Sequence, residues 1–140
     1  MANLKLDVVL AAVPLFDGLP RRHLKRLANL AEVADYMADH TIVREGDAGD
    51  AFYVVLAGQA KVTSNGKLVN RILPGDHFGE ISLLDGDVRT ATVASETPMT
   101  LLMLSRARFL KAIREEPDMA LNLLASLAKQ VRRTTRTLVG

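Results

Sequence analysis

Cysteine and tryptophan are both missing from this 140-residue chain, and aromatic residues of any kind make up only 4% of it. Without cysteine there is no disulfide, no thiolate metal site and no cysteine nucleophile, a usage that agrees with a reducing compartment. Any core must be built mainly from aliphatic side chains. Long apolar runs are scarce as well. The stretch from Val8 to Phe16 is broken by Pro14 and preceded by Lys5 and Asp7, so it is too short to span a bilayer. It lacks the basic start and small-residue cleavage site of a signal peptide, and residues 4–13 read instead as an amphipathic helix of a cytoplasmic protein without membrane insertion. Charge of one sign is also lacking: 18 basic and 16 acidic residues leave a formal +2. Basic residues do gather at Lys129, Arg132, Arg133 and Arg136, but a solvated helix face explains them better than nucleic-acid binding.

What is present fits one globular domain over residues 1–140, with 49% hydrophobic and 24% charged residues, large enough to bury a core without covalent staples. Helical periodicity runs to about residue 34, short strands with Gly-rich turns fill residues 36–105, and helical periodicity returns over 106–140. In the first part Leu24, Leu27, Ala28 and Ala31 fall at helical spacing after Pro20, a suitable first-turn residue. The middle part predicts strands at Thr41 to Val43, Ala51 to Ala57, Ala60 to Thr63, Leu68 to Leu73 and Met99 to Leu104. Turn residues punctuate them, as in a sandwich or barrel. Asn65-Gly66 predicts a tight hairpin, because both residues tolerate the positive φ that such a turn needs. Ser105 predicts a helix cap, and Pro117 ends or restarts the helix that follows. On the long terminal helix Leu124, Leu127, Val131, Thr134 and Leu138 step by three and four, a seam for the barrel or for a second copy of the chain.

The segment that carries chemistry is Phe78-Gly79-Glu80-Ile81-Ser82-Leu83-Leu84, followed after a loop by Arg89-Thr90-Ala91-Thr92-Val93. Gly79 lets backbone approach a ligand, and the amides of Ile81 and Ser82 at the start of a helical turn form an anion cradle. Arg89 adds a planar fork of donors matched to phosphate oxygens. Glu80 would repel phosphate unless it had another task, and a ribose hydroxyl supplies one, because a carboxylate only accepts. Each residue also has a plainer reading: Glu80 as a charge near a helix start, Gly79 as a turn residue, Arg89 as a solvated strand residue, and Thr90 and Thr92 as β-formers. It is their order and spacing together that points to a phosphorylated ribose.

From Phe78 to Val93 the chain closely resembles the phosphate-binding cassette of cyclic nucleotide-binding domains, which occur in catabolite-activator-type regulators, cyclic-nucleotide-dependent kinases and gated channels. Gly46, Gly58 and Pro74-Gly75-Asp76 also stand where that family places turn glycines, so the resemblance covers nearly the whole chain. It implies an α+β, mainly β fold: an antiparallel, jelly-roll-like β-roll flanked by N-terminal helices (1–35) and two C-terminal helices, the last one long. It gives Glu80 the ribose 2′-OH, and Arg89 with the Ile81 and Ser82 amides the cyclic phosphate. Thr90 meets phosphate or base, and Phe78, Gly79 and Ala91 complete the set. A Thr-Ser pair of the catabolite-activator branch falls, counting from Arg89, on Thr134-Thr135, which favours adenine and implies a homodimer through that helix. The loop from Gly79 to Arg89 has the kinase and channel length, one residue shorter than in the catabolite-activator branch.

The expected function is therefore a cyclic AMP sensor that shifts its C-terminal helices on binding, with no catalytic residue, metal or cofactor. Cyclic GMP is the alternative ligand, since a hydroxyl after the arginine can meet the guanine amino group. Another alternative is a regulatory piece of a longer channel, transporter or enzyme. No helix-turn-helix follows before Gly140, so DNA binding has no visible reader. Two further readings are a dimerisation module that has lost its ligand and a metal-dependent β-roll enzyme. The latter is disfavoured because His23, His40 and His77 lie on a helix and near turns rather than at paired strand positions.

Overall fold

The computed structural model describes residues 5–139, with side chains described to residue 135. The chain forms two compact units, one joining the residues up to Asn29 with those from Leu110 onward, the other Leu30–Phe109.

The first unit holds α1 (Leu6–Ala11), a 3-10 turn (Pro14–Phe16), α2 (Arg21–Leu30) and α5 (Pro117–Val139). The 6-residue α1 is shorter than the helix predicted over 4–13, because Pro14 starts the tighter turn; Leu4 lies outside the described residues. On α2, His23 and Leu27 are buried one turn apart, while Ala31 falls beyond the helix. Charged groups tie α2 to the residues just before α5: Arg26 donates to Glu115 and Glu116 at 3.1 and 3.2 Å, and His23 Nδ1 lies 2.9 Å from Glu116 Oε2. Further along α5, the Ser126 hydroxyl and the Gln130 amide both donate to the Pro14 carbonyl. The Pro14 carbonyl also accepts the Asp17 amide that closes the 3-10 turn, so these two side chains add to a bond the turn already makes.

The buried stripe of α5 is Met119, Leu123 and Ser126. The predicted seam lies elsewhere: Leu124 and Val131 are 61% and 64% exposed, Leu127 is half-buried and Thr134 is exposed. Three- and four-residue steps define a helical face but not which face turns inward, and Met119 and Leu123 take that place. Arg136 and Leu138 lie outside the residues whose side chains are described.

The second unit is an antiparallel β-roll of two four-stranded sheets. Its strands are β1 (Glu32–Tyr36), β2 (Thr41–Val43), β3 (Ala51–Ala57), β4 (Ala60–Ser64), β5 (Lys67–Ile72), β6 (His77–Phe78), β7 (Thr92–Ser95) and β8 (Met99–Ser105). One sheet runs β1-β8-β3-β6 and the other β2-β7-β4-β5, with every pair antiparallel. Alternate residues Ala51, Tyr53, Val55, Met99 and Leu101 of one sheet pack on Ala60, Ile72 and Val93 of the other, as the two-residue side-chain period of strands requires. The remaining residues of β3 from Ala51 to Val55 are buried too, which explains its unbroken apolar sequence.

Strands begin earlier than the helical periodicity to residue 34 implied: Glu32–Tyr36 pairs along β8, from Glu32 opposite Met103 to Tyr36 opposite Met99. Asn65 and Gly66 make the predicted hairpin between β4 and β5, with φ of 52° and 78°. α4 (Arg106–Glu115) follows β8, and the Ser105 hydroxyl accepts from the Arg108 amide at 3.2 Å as its cap.

Candidate functional site

Between β6 and β7 the chain turns through Gly79 into a six-residue helix, α3 (Glu80–Asp85), and then a loop to Thr92. Gly79 has φ 88°, left-handed backbone that side chains resist. A Cβ there would stand 2.6 Å from Arg89 Nη1 and 2.8 Å from the Ala51 carbonyl. The missing side chain therefore makes room for the guanidinium. The first amide to close the helix is Leu83, donating to the Gly79 carbonyl at 3.1 Å, and no side chain caps the turn. The amides of Glu80, Ile81 and Ser82 thus precede the helix's own ladder and point outward from its start.

Arg89 is 7% exposed. Its position is clamped by backbone bonds, its amide donating to Asp47 and its carbonyl accepting from Gly46. The side chain donates through Nη2 to the Ala51 carbonyl at 2.6 Å, while the Asp50 carboxylate stands 4.0 Å away and is largely exposed. A cation this enclosed, next to a neutral carbonyl and a distant carboxylate, sits where an anion would lower its energy.

These groups line a cavity of about 400 Å³. Phe78, Gly79, Glu80, Ile81, Ser82, Arg89, Thr90 and Ala91 all face it, so the eight residues singled out between 78 and 91 are brought together. Its size and its apolar walls with a few polar groups are those of a small-molecule site. Arg89 does not belong to a strand, since β7 begins at Thr92. Thr134 and Thr135 belong to the other unit, where both are exposed on α5 and the Thr134 hydroxyl donates to the Gln130 carbonyl.

Sequence reasoning missed part of the lining. Val43, Val62 and Val93, from β2, β4 and β7, form an apolar wall, and Asp85 contributes from the end of α3 with Asp87 and Val88 from the loop. Asp85 accepts the Asp87 amide at 2.9 Å as an Asx turn, and Asp87 accepts the amide of the next residue, Val88, at 2.8 Å. Gly49 was also overlooked. A Cβ on it would collide with the Ser82 side chain, and its amide donates to the Asp87 carbonyl.

Two titrating groups touch residues that line the cavity. Tyr53 stacks on Phe78 with ring centroids 4.8 Å apart, and burial, aided by Tyr36 and Asp50, pushes its phenol up to about 12. It is a neutral ring at physiological pH. His77 Nδ1 lies 2.7 Å from Glu80 Oε2, and this contact raises the imidazole above its ordinary value against the opposing effect of burial, with Asp76 adding to the rise. Among the described residues no group of three or more His, Cys, Asp or Glu is placed to hold a metal, and no described helix is long and apolar enough to cross a membrane.

Comparison with known proteins places this geometry in context. Residues 33–116 match the family model described as "Cyclic nucleotide-binding domain". A cAMP-dependent protein kinase regulatory subunit of Schizosaccharomyces pombe is 31% identical over 117 residues, covering 83% of this chain and 28% of that protein. A cGMP-dependent protein kinase of Caenorhabditis briggsae is 34% identical over 111 residues, covering 74% of this chain and 15% of the kinase. The chain thus spans under a third of either relative. Among solved structures, the N-terminal domain of a transcriptional regulator from Streptomyces coelicolor A3(2) superposes with a TM-score of 0.80 at 30% identity, covering 90% of this chain and 94% of that one.

Proposed function

The chain belongs to the cyclic nucleotide-binding domain family, and from that premise we propose that it is a sensor whose β-roll cavity holds cyclic AMP. The observation that carries this reading is Arg89, an enclosed guanidinium bonded to one carbonyl and facing a cavity beside the open amides of Ile81 and Ser82. Arg89 and those amides take the cyclic phosphate. Glu80 takes the ribose 2′-OH, and Phe78, Gly79, Thr90 and Ala91 complete the contacts. Thr134 and Thr135 of α5 are the proposed adenine partners. The whole of residues 1–140 is read as one functional domain of a cytoplasmic protein, binding rather than catalysing. Its regulated effector lies in a further domain or another protein.

Output is proposed to run through the C-terminal helices, biased by whatever difference in affinity the ligand has for their two arrangements. Arg106 supports this route: it is the first residue of α4, yet it donates to the Leu84 carbonyl at the end of α3 at 3.3 Å. A second copy of the chain is the proposed cover for Leu121, Leu124 and Val131, which are 66%, 61% and 64% exposed on α5. Cyclic GMP remains the second reading because Thr90 faces the cavity directly after Arg89.

Titration calorimetry tests the assignment. Arg89→Ala should weaken cyclic AMP binding by about 2–5 kcal/mol, since truncation leaves phosphate and Glu80 uncompensated; unchanged affinity would remove the role. Competition among cyclic AMP, cyclic GMP and linear AMP separates base choice from recognition of the cyclic ring. A flat isotherm with both cyclic nucleotides would return the chain to the ligand-free dimerisation module.

A further inference from the structure

Glu80 has two carboxylate oxygens, and the structure treats them differently. Oε2 is shut off from solvent and lies 2.7 Å from His77 Nδ1, itself shut off, and among the described residues neither atom has an aligned hydrogen-bond partner, so the two meet as a close ion pair. The carboxylate belongs to the first turn of a short helix, while the imidazole belongs to a strand. β6 is pinned to β3, with His77 opposite Val54 and Phe78 opposite Tyr53. The turn before it is tied by Val55 donating to the Asp76 carbonyl and Gly75 donating to that of Val55, both at 2.8 Å. The imidazole leans on the Phe52 ring at 6.0 Å between centroids. The charged groups bearing on His77 are Glu80 of α3 and Asp76 of the preceding turn; from β3 it meets Phe52 and Val54, which do not titrate.

On the reading that Glu80 receives the ribose hydroxyl, we propose that His77 is a positioning residue: its imidazolium holds Glu80 for the sugar and makes discrimination between ribose and 2′-deoxyribose depend on protonation. With Nδ1 protonated and the ring charged, the ion pair fixes Oε2 and leaves Oε1 to accept the hydroxyl. Loss of the proton removes the charge, and the tautomer with a bare Nδ1 sets a lone pair against the carboxylate. Even the tautomer that keeps Nδ1–H toward Oε2 holds it only by a hydrogen bond from a neutral donor, so the anchor of Glu80 weakens. An anionic ligand entering beside a carboxylate also gains from a cation held there, so binding draws a proton onto His77.

The test compares affinities for cyclic AMP and its 2′-deoxy analogue in the wild type, His77→Phe and His77→Asn, by calorimetry from about pH 6 to 8.5, a range spanning imidazole titration. The ratio of the two affinities cancels effects common to both ligands. In the wild type the preference for ribose should fall about fivefold as pH rises, the scale of one weakened charge-assisted hydrogen bond. His77→Phe should show the low preference at every pH. His77→Asn, whose amide can stand near the Nδ1 position without titrating, should retain part of the preference and be flat with pH. A wild-type ratio independent of pH, or a His77→Phe ratio equal to wild type, overturns the role of His77 alone. If only cyclic GMP binds, the same ratio is taken against its own 2′-deoxy analogue; failure of both cyclic nucleotides to bind the wild type at any pH overturns the nucleotide reading and this one with it. NMR titration of ligand-free protein gives a separate check: Glu80→Gln should lower the midpoint of His77, and an unmoved midpoint overturns the pairing.

Discussion

Gly79→Ala bears on two features at once. The substitution puts a Cβ on backbone at φ 88° and against the Arg89 guanidinium, so it should lower stability by about 1–3 kcal/mol in thermal unfolding and also weaken ligand binding by displacing Arg89. Arg89→Lys keeps the charge but loses the fork, and should weaken cyclic AMP by roughly tenfold in calorimetry. His77 adds a pH signature to the ligand-free protein. Its pKa is raised by Glu80, so its stabilising contribution is full below the ordinary imidazole value of about 6.5 and is lost as pH climbs through the raised one. Thermal melts of His77→Phe should therefore vary less with pH across that window than those of the wild type. At this scale Gly79, Glu80 and Arg89 could be singled out as candidates from their chemistry, and the structure brings them to one cavity. Val43, Val62 and Val93 could not be, because nothing local distinguishes a valine facing a ligand from one facing a core; β2, β4 and β7 meet only once the roll has closed.

Among the elements, α4 gives the cleanest measurement. Ser105→Ala removes the bond from the Arg108 amide and should cost about 1 kcal/mol in denaturant unfolding. Arg106→Ala should leave cyclic AMP affinity within a few fold of wild type while blunting the change that ligand causes in hydrogen exchange along α4 and α5. Equal ligand-induced protection in both proteins would dismiss the link to Leu84. The strands with strong turn signals on both sides, such as Ala51–Ala57, were readable to the residue. β1 was not, because Leu27, Ala28 and Ala31 carry a helical spacing right up to Val33 and Tyr36. What decides for a strand is the apolar edge of β8, from Met99 to Met103, which is remote in sequence. β6 has two residues, too few for any periodicity to register.

For the whole molecule, the exposed apolar residues of α5 predict self-association. Leu124→Glu with Val131→Glu should shift sedimentation toward the monomer and leave thermal stability at low concentration nearly unchanged, since both positions face solvent in one chain. The succession of helices, β-roll and helices was legible from periodicity; which face of α5 turns inward was not, because Leu124 and Leu123 are equally apolar and only packing separates them. The stacked pair of Tyr53 and Phe78 carries a practical dividend. With tryptophan absent and only two tyrosines in the chain, phenol emission is not swamped by indole, and one of its two sources is buried with its ring laid on a residue that lines the cavity. The protein thus has a built-in fluorophore, and a saturable change in tyrosine emission on adding cyclic AMP, abolished in Tyr53→Phe, would let occupancy be followed without a dye.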